Sequence, residues 1–144
     1  MKSFKNFRTN SYFKMGDVVY GDLGAQPGSV QGGERFLLIV SNNIGNAHSP
    51  VYTVLPFTAR RKNGQPTHRL FEQGEGGLPR PSVLLGEQIT TISKSNVYYK
   101  VGEFDETQMK KASEALICAC PVGHLIVDSG VMNTESYMKI ITAS

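Results

Sequence analysis

Residues 24–40 read GAQPGSVQGGERFLLIV, a loop with four glycines and a proline that runs through Glu34 and Arg35 into an apolar strand. At that junction the strand fixes the arginine's backbone and leaves its guanidinium head free. The neighbouring glycines let something approach the main chain closely. This is the make-up of a binding edge. A planar guanidinium fork suits a pair of phosphate oxygens, although Glu34 beside it also permits a plain ion pair. Elsewhere, Arg60, Arg61, Lys62 and Arg69 fall within residues 59–69 with no acid among them, and Lys2, Lys5, Arg8 and Lys14 do the same within residues 1–14. Two local excesses of positive charge suit a polyanion or a solvated tail. Cys118, Cys120 and His124 spell CACPVGH. That offers three ligands where a structural zinc takes four, so no metal is expected and the thiols read as buried and reduced.

These residues need a frame. The chain has 144 residues, a net charge of +3, 40% hydrophobic and 19% charged residues, which describes one soluble domain with a core of its own. No apolar run approaches membrane-spanning length, and the basic N-terminus lacks the apolar stretch of a secretory signal. A cytoplasmic protein is expected. Residues 1–14 read as a mobile or loosely docked extension, residues 15–120 as the domain, and residues 121–144 as a C-terminal extension packed on it. Strands are expected at 16–23, 35–43, 51–58, 67–72, 82–92 and 96–104. The unbroken apolar middle of 35–43 suggests burial on both faces, Pro56 suggests an edge or bulge, and NIGNAHSP reads as a turn. From Asp105 the period changes: apolar residues at 109, 112, 116, 117 and 120 mark one helical face, with Asp105 and Gln108 in capping-box positions and Pro121 as the stop. Short strands followed by a helix predict a small, strongly curved antiparallel barrel with the helix against it. Loops at one end of such a barrel gather in space.

The ordered series GDVVYGDL at 16–23, PGSVQGGER at 27–35, IVSNNIGNAHSP at 39–50, PTH at 66–68 and SVLLGEQITTI at 82–92 resembles the MazF/PemK family of toxins. The resemblance implies a mainly β, SH3-like barrel with a C-terminal helix, of the kind shared by the CcdB and Kid toxins. It further implies a homodimer that cleaves single-stranded RNA at short sequences without metal or other cofactor, restrained by a cognate antitoxin. Arg35 matches the arginine on which the family's mechanism depends. Thr58 matches its threonine, a hydroxyl donor to an oxygen gaining charge. Glu87 matches an acidic position that can accept a proton from the 2′-OH if it lies within reach. The bland alternatives are β-propensity for Thr58 and satisfied loop amides for Glu87. Ser29, Gln31, Gly32 and Gly33 are expected to line the RNA-binding loop, with Tyr20, Asn43, Arg60 and Gln88 as further contacts. His68 reads as framework, and His48 belongs to a turn. Val30 stands where the family commonly has an acidic residue, and Phe36 where it has proline. Both lie at the expected mouth of the site. The alternatives are a CcdB-like barrel that binds a protein target, and a degenerate member that binds RNA without cutting it.

Overall fold

The structure is a computed structural model and describes residues 11–59 and 64–122, with Glu135 and Lys139. Its strands are β1 (Asp17–Asp22), β2 (Glu34–Ile39), β3 (Val51–Thr58), β4 (His68–Phe71), β5 (Ser82–Leu85), β6 (Thr90–Ser93) and β7 (Val97–Glu103). All pair antiparallel in the order β4-β5-β3-β2-β1-β7, with β6 also on β3. The β4 and β7 ends do not pair with each other, so the curved sheet is open. Helix α1 (Asn43–His48) follows β2, and α2 (Glu106–Ala119) follows β7.

Successive residues of a strand face opposite sides, and here both sides are apolar. Val18, Leu38, Leu55, Phe57, Phe71 and Phe104 belong to one buried cluster, closed by Ala112 of α2. Val19, Leu37, Ile39, Tyr52, Val54 and Ile92 form the other. The apolar run Leu37–Ile39 is therefore fully buried on both faces, as its sequence predicts. Phe13 packs against the second cluster and its N–H donates to the Tyr52 hydroxyl at 2.9 Å. Packing against the sheet therefore begins before Met15.

Three expectations for the strands and their connections change. First, Pro56 is neither on an edge strand nor at a bulge, since β3 is central. The Val40 N–H donates to the Thr53 carbonyl, so alternation turns the nitrogen of Pro56 away from β2. On that side β3 pairs with β6 through Val51–Val54 and with β5 through Phe57 and Thr58, leaving Pro56 at the changeover. A missing donor costs little there. Second, 82–92 is not one strand, because its halves must reach the two parts of β3. The corner is the 3-10 turn Gly86–Gln88. Gly86 donates to the Thr67 carbonyl at 2.8 Å, and a Cβ there would lie 2.5 Å from the Ala115 carbonyl oxygen of α2. Third, 35–43 ends early and NIGNAH is a helix rather than a turn. The Asn42 side chain caps it by accepting from the Gly45 N–H, and buried Asn46 ties it back to the Ser41 carbonyl.

Helix α2 starts at the expected capping box, with both reciprocal Asp105–Gln108 bonds at 2.8 Å. Its inward face is Ala112 and Ala115, flanked by partly buried Met109 and Leu116. Ile117 and Cys120 lie off that face, and Cys118 and Cys120 are free and exposed rather than buried. His124 lies outside the described residues.

Phe71 is fully buried, 4.5 Å from Phe104 and 6.2 Å from Phe57 between ring centroids. Phe71→Ala is expected to lower unfolding stability by about 3–5 kcal/mol in urea titration. A loss below about 1 kcal/mol would mean that this cluster is not the packing centre.

Candidate active site

The loop between β1 and β2 closes on itself. Leu23 donates to the Gly33 carbonyl at 3.0 Å and Gly33 to the Gly24 carbonyl at 2.8 Å. The neck requires glycine: Gly33 has φ +74°, and a Cβ on Gly32 would lie 2.6 Å from the Gly24 oxygen. Just beyond the neck, Arg35 turns its side chain back into the structure. Its Nε donates to the Gly32 carbonyl at 3.0 Å and a terminal nitrogen to the Phe57 carbonyl at 2.9 Å. The β2–β3 ladder reaches only to the Leu37–Pro56 pair, so the guanidinium takes up a carbonyl that the main chain has left. Burial lowers the guanidinium pKa and Tyr20 acts against that; the group stays cationic. The neighbouring Glu34 lines the same hollow as Arg35, but its carboxylate accepts from the Tyr98 hydroxyl at 3.3 Å. Among the described residues no carboxylate pairs with Arg35, so the ion-pair alternative does not hold there.

Two clefts meet at this arginine. The larger, about 630 Å³, is bounded by Tyr20, Phe36, Tyr99, Arg80 and Ser82. The smaller, about 400 Å³, is formed by residues 28–32 of the loop. Arg35 and Thr58 border both. Among the residues expected from sequence, Ser29, Gln31 and Gly32 are thus gathered in one cleft and Tyr20 in the other, with Arg35 and Thr58 between them. Gly33 forms the loop neck. Val30 is exposed at the smaller cleft and Phe36 borders the larger.

Other expected residues lie apart. Gln88 clasps the loop from outside: it accepts from the Gln31 N–H at 3.3 Å and donates to the Ser29 carbonyl at 3.4 Å. Glu87 borders neither cleft and is hydrogen-bonded to the buried His68 Nε2 at 3.0 Å. Asn43 accepts from the Met15 N–H at 2.8 Å and borders neither cleft. Arg60 lies outside the described residues.

Sequence reasoning did not single out Tyr98, Tyr99 or Arg80. The β1–β7 register passes from Tyr20–Tyr99 to Gly21–Val97, which leaves Tyr98 as an extra, bulged residue. Two consecutive tyrosines are consequently exposed, at 48% and 52%. Tyr99 stacks on Tyr20 at 5.6 Å and 21°, and Phe36 meets Tyr20 at 4.9 Å. The only signal in the sequence is the Tyr-Tyr pair itself.

Residues 14–119 match the signature of the PemK-like, MazF-like toxins of type II toxin–antitoxin systems. The chain belongs to this family. It is 42% identical over 104 residues to endoribonuclease EndoA of Bacillus subtilis, covering 72% of this chain and 90% of that one. It is 36% identical over the same length to endoribonuclease MazF of Staphylococcus saprophyticus, covering 72% of this chain and 87% of that one. Among solved structures, a mycobacterial endoribonuclease in complex with its cognate antitoxin superposes with a TM-score of 0.63 at 27% identity, over 76% of this chain and 95% of that one. MazF of Deinococcus radiodurans superposes at 0.65 with 21% identity, over 75% of this chain and 96% of that one, and shares the fold.

The Glu87 pairing has a pH signature. Burial raises its pKa, but bonds from His68, its own backbone N–H and Thr67 together outweigh burial and leave it lowered. A folded-state pKa below the unfolded one adds stability above the unfolded carboxylate range, and that stability is lost as pH falls through the folded value. Glu87→Gln is therefore expected to be less stable than the parent at neutral pH, with the gap closing through the acid range in urea titrations at stepped pH. A gap independent of pH would show that the carboxylate's charge is not what the pair uses.

Proposed function

We propose that this chain is the toxin of a type II toxin–antitoxin pair and acts as a metal-independent endoribonuclease on single-stranded RNA, with Arg35 and Thr58 at its reaction centre. The observation that carries this reading is the position of those two residues, which border both clefts at once. A strand running from one cleft to the other brings a phosphate past them. The RNA 2′-oxygen attacks the adjacent phosphorus, a new O2′–P bond forms and the P–O5′ bond breaks. The products are a 2′,3′-cyclic phosphate and a 5′-OH, and the net proton movement is from the 2′-OH to the departing O5′. Charge grows on the non-bridging oxygens along the way. The fixed cation of Arg35 and a hydroxyl donor at Thr58 stabilise that charge without having to reorganise. Arg35 is not the base, because a guanidinium does not give up its proton in a protein. Glu87 is engaged with His68 and would have to leave it to serve.

The family supplies the remaining parts of this reading: a homodimer in the cytoplasm, held in check by a cognate antitoxin. An acidic, disordered antitoxin segment folding across clefts that carry Arg35 and Arg80 fits their charge.

Purified, antitoxin-free protein in EDTA should cut a long unstructured RNA at discrete sites, leaving cyclic phosphate and 5′-OH ends. Loss of a preorganised charge donor costs about 10²–10³ in rate, so Arg35→Ala should fall by at least that much. Arg35→Lys should also be crippled, since an ammonium cannot reproduce the two carbonyl bonds and the fork together. Circular dichroism and urea unfolding would establish that both variants fold. A folded Arg35→Ala protein that cuts like the parent would remove Arg35 from the mechanism.

A further inference from the structure

The two clefts that meet at Arg35 differ in chemistry. The smaller is made of loop residues 28–32, where the Ser29 and Gln31 side chains and main-chain groups offer edge-to-edge hydrogen bonding beside the exposed Val30. The larger has an aromatic wall. Tyr99 stands half out of the surface and lies nearly parallel to Tyr20, with Phe36 beneath, while Arg35 and exposed Arg80 border the same space. Exposed aromatic faces between guanidinium groups are what single-stranded nucleic acid requires, since bases stack on the rings and phosphates meet the cations. At about 630 Å³ the space is of the size that takes a small ligand.

We infer that the larger cleft is a stacking subsite for the nucleotide on one side of the scissile phosphate, with Tyr99 as its exposed platform, and that its partner nucleotide is read in the smaller cleft. The inference rests on the proposed ribonuclease function and divides the labour within it. Every base has a π-face, so the aromatic cleft adds affinity with little choice of sequence. Selection falls to the loop. A second copy of the chain is a poorer occupant, because closing a protein face over this cleft would strip water from Arg35, Arg80 and Glu34 together.

The test uses an RNA oligonucleotide cut by the protein, blocked by a single 2′-deoxy substitution at the cleavage position. The fluorescent base 2-aminopurine is placed on either side in turn. Titrated with the full chain in EDTA, it should be quenched on one side only. Tyr99→Ala should abolish that quenching and weaken binding roughly 5- to 150-fold. Its loss in cleavage should appear in KM, with the cut sequence unchanged, and Tyr99→Phe should restore binding. Parent-like affinity and quenching in Tyr99→Ala would overturn the inference, as would a changed cut sequence. If Tyr99→Ala instead dissociates the protein in sedimentation and its binding loss follows the dissociation, the surface belongs to a copy interface and the inference also fails. A dead Arg35→Ala together with a parent-like Tyr99→Ala would sink the stacking subsite alone. An active Arg35→Ala would sink the reading beneath it.

Discussion

The site depends on one side chain doing what a main chain ordinarily does. Where β2 and β3 diverge, the Phe57 carbonyl would lack its ladder partner, and the Arg35 guanidinium supplies one at 2.9 Å while its Nε holds the Gly32 carbonyl at 3.0 Å. An unmet buried carbonyl is expensive, and a charged donor meets it well. The same two bonds fix the fork in place and join the start of β2, the loop neck and the end of β3. Both clefts are bordered at this junction, so the cation is held where they meet.

A second constraint acts from the other side of β3. That strand must serve β2 along one edge and both β5 and β6 along the other, so the chain between the last two has to turn. Gly86 makes the corner possible because only a hydrogen fits against the Ala115 carbonyl of α2. The corner then carries Glu87 towards His68 and Gln88 towards the glycine loop. Through Gln88, the packing of α2 and β4 reaches residues 29 and 31 of the smaller cleft.

Much of this was legible in the sequence, and what was missed has a common cause. The two-sided burial of Leu37–Ile39 and the capping box of α2 are local patterns, and both are read directly from residue types. Arg35 stood out because glycines on one side and an apolar run on the other define its place within a few residues. The failures concern partners distant in the chain. Pro56 looked like an edge signal because nothing local reveals that β3 changes neighbours there. Residues 82–92 looked like one strand because the need to turn comes from β3 and α2. The exposed pair Tyr98 and Tyr99 was invisible because alternation would hide one of the two, and only a bulge against β1 exposes both. The NIGNAH helix is the exception: its cap is local, but an internal glycine and two asparagines weigh towards a turn.

Glu87 shows why residue type and motif position do not by themselves assign a role. A carboxylate adjacent to Gln88, which holds the loop, has the chemistry of a base. Its hydrogen bonds, however, point it at a buried histidine on β4, and those bonds make it a weaker proton acceptor by lowering its pKa. A base of low pKa outside both clefts is poorly suited to take a proton from a 2′-OH. The pair is better suited to holding the Gly86–Gln88 turn against β4. It thereby fixes the origin from which Gln88 reaches the loop. In this arrangement the loop is held between two anchors, Arg35 within the site and Gln88 outside it. Both hold residues that line the smaller cleft, Arg35 through the Gly32 carbonyl and Gln88 through Ser29 and Gln31, so on the proposed function Gln88 would shape how bases are read without itself meeting RNA.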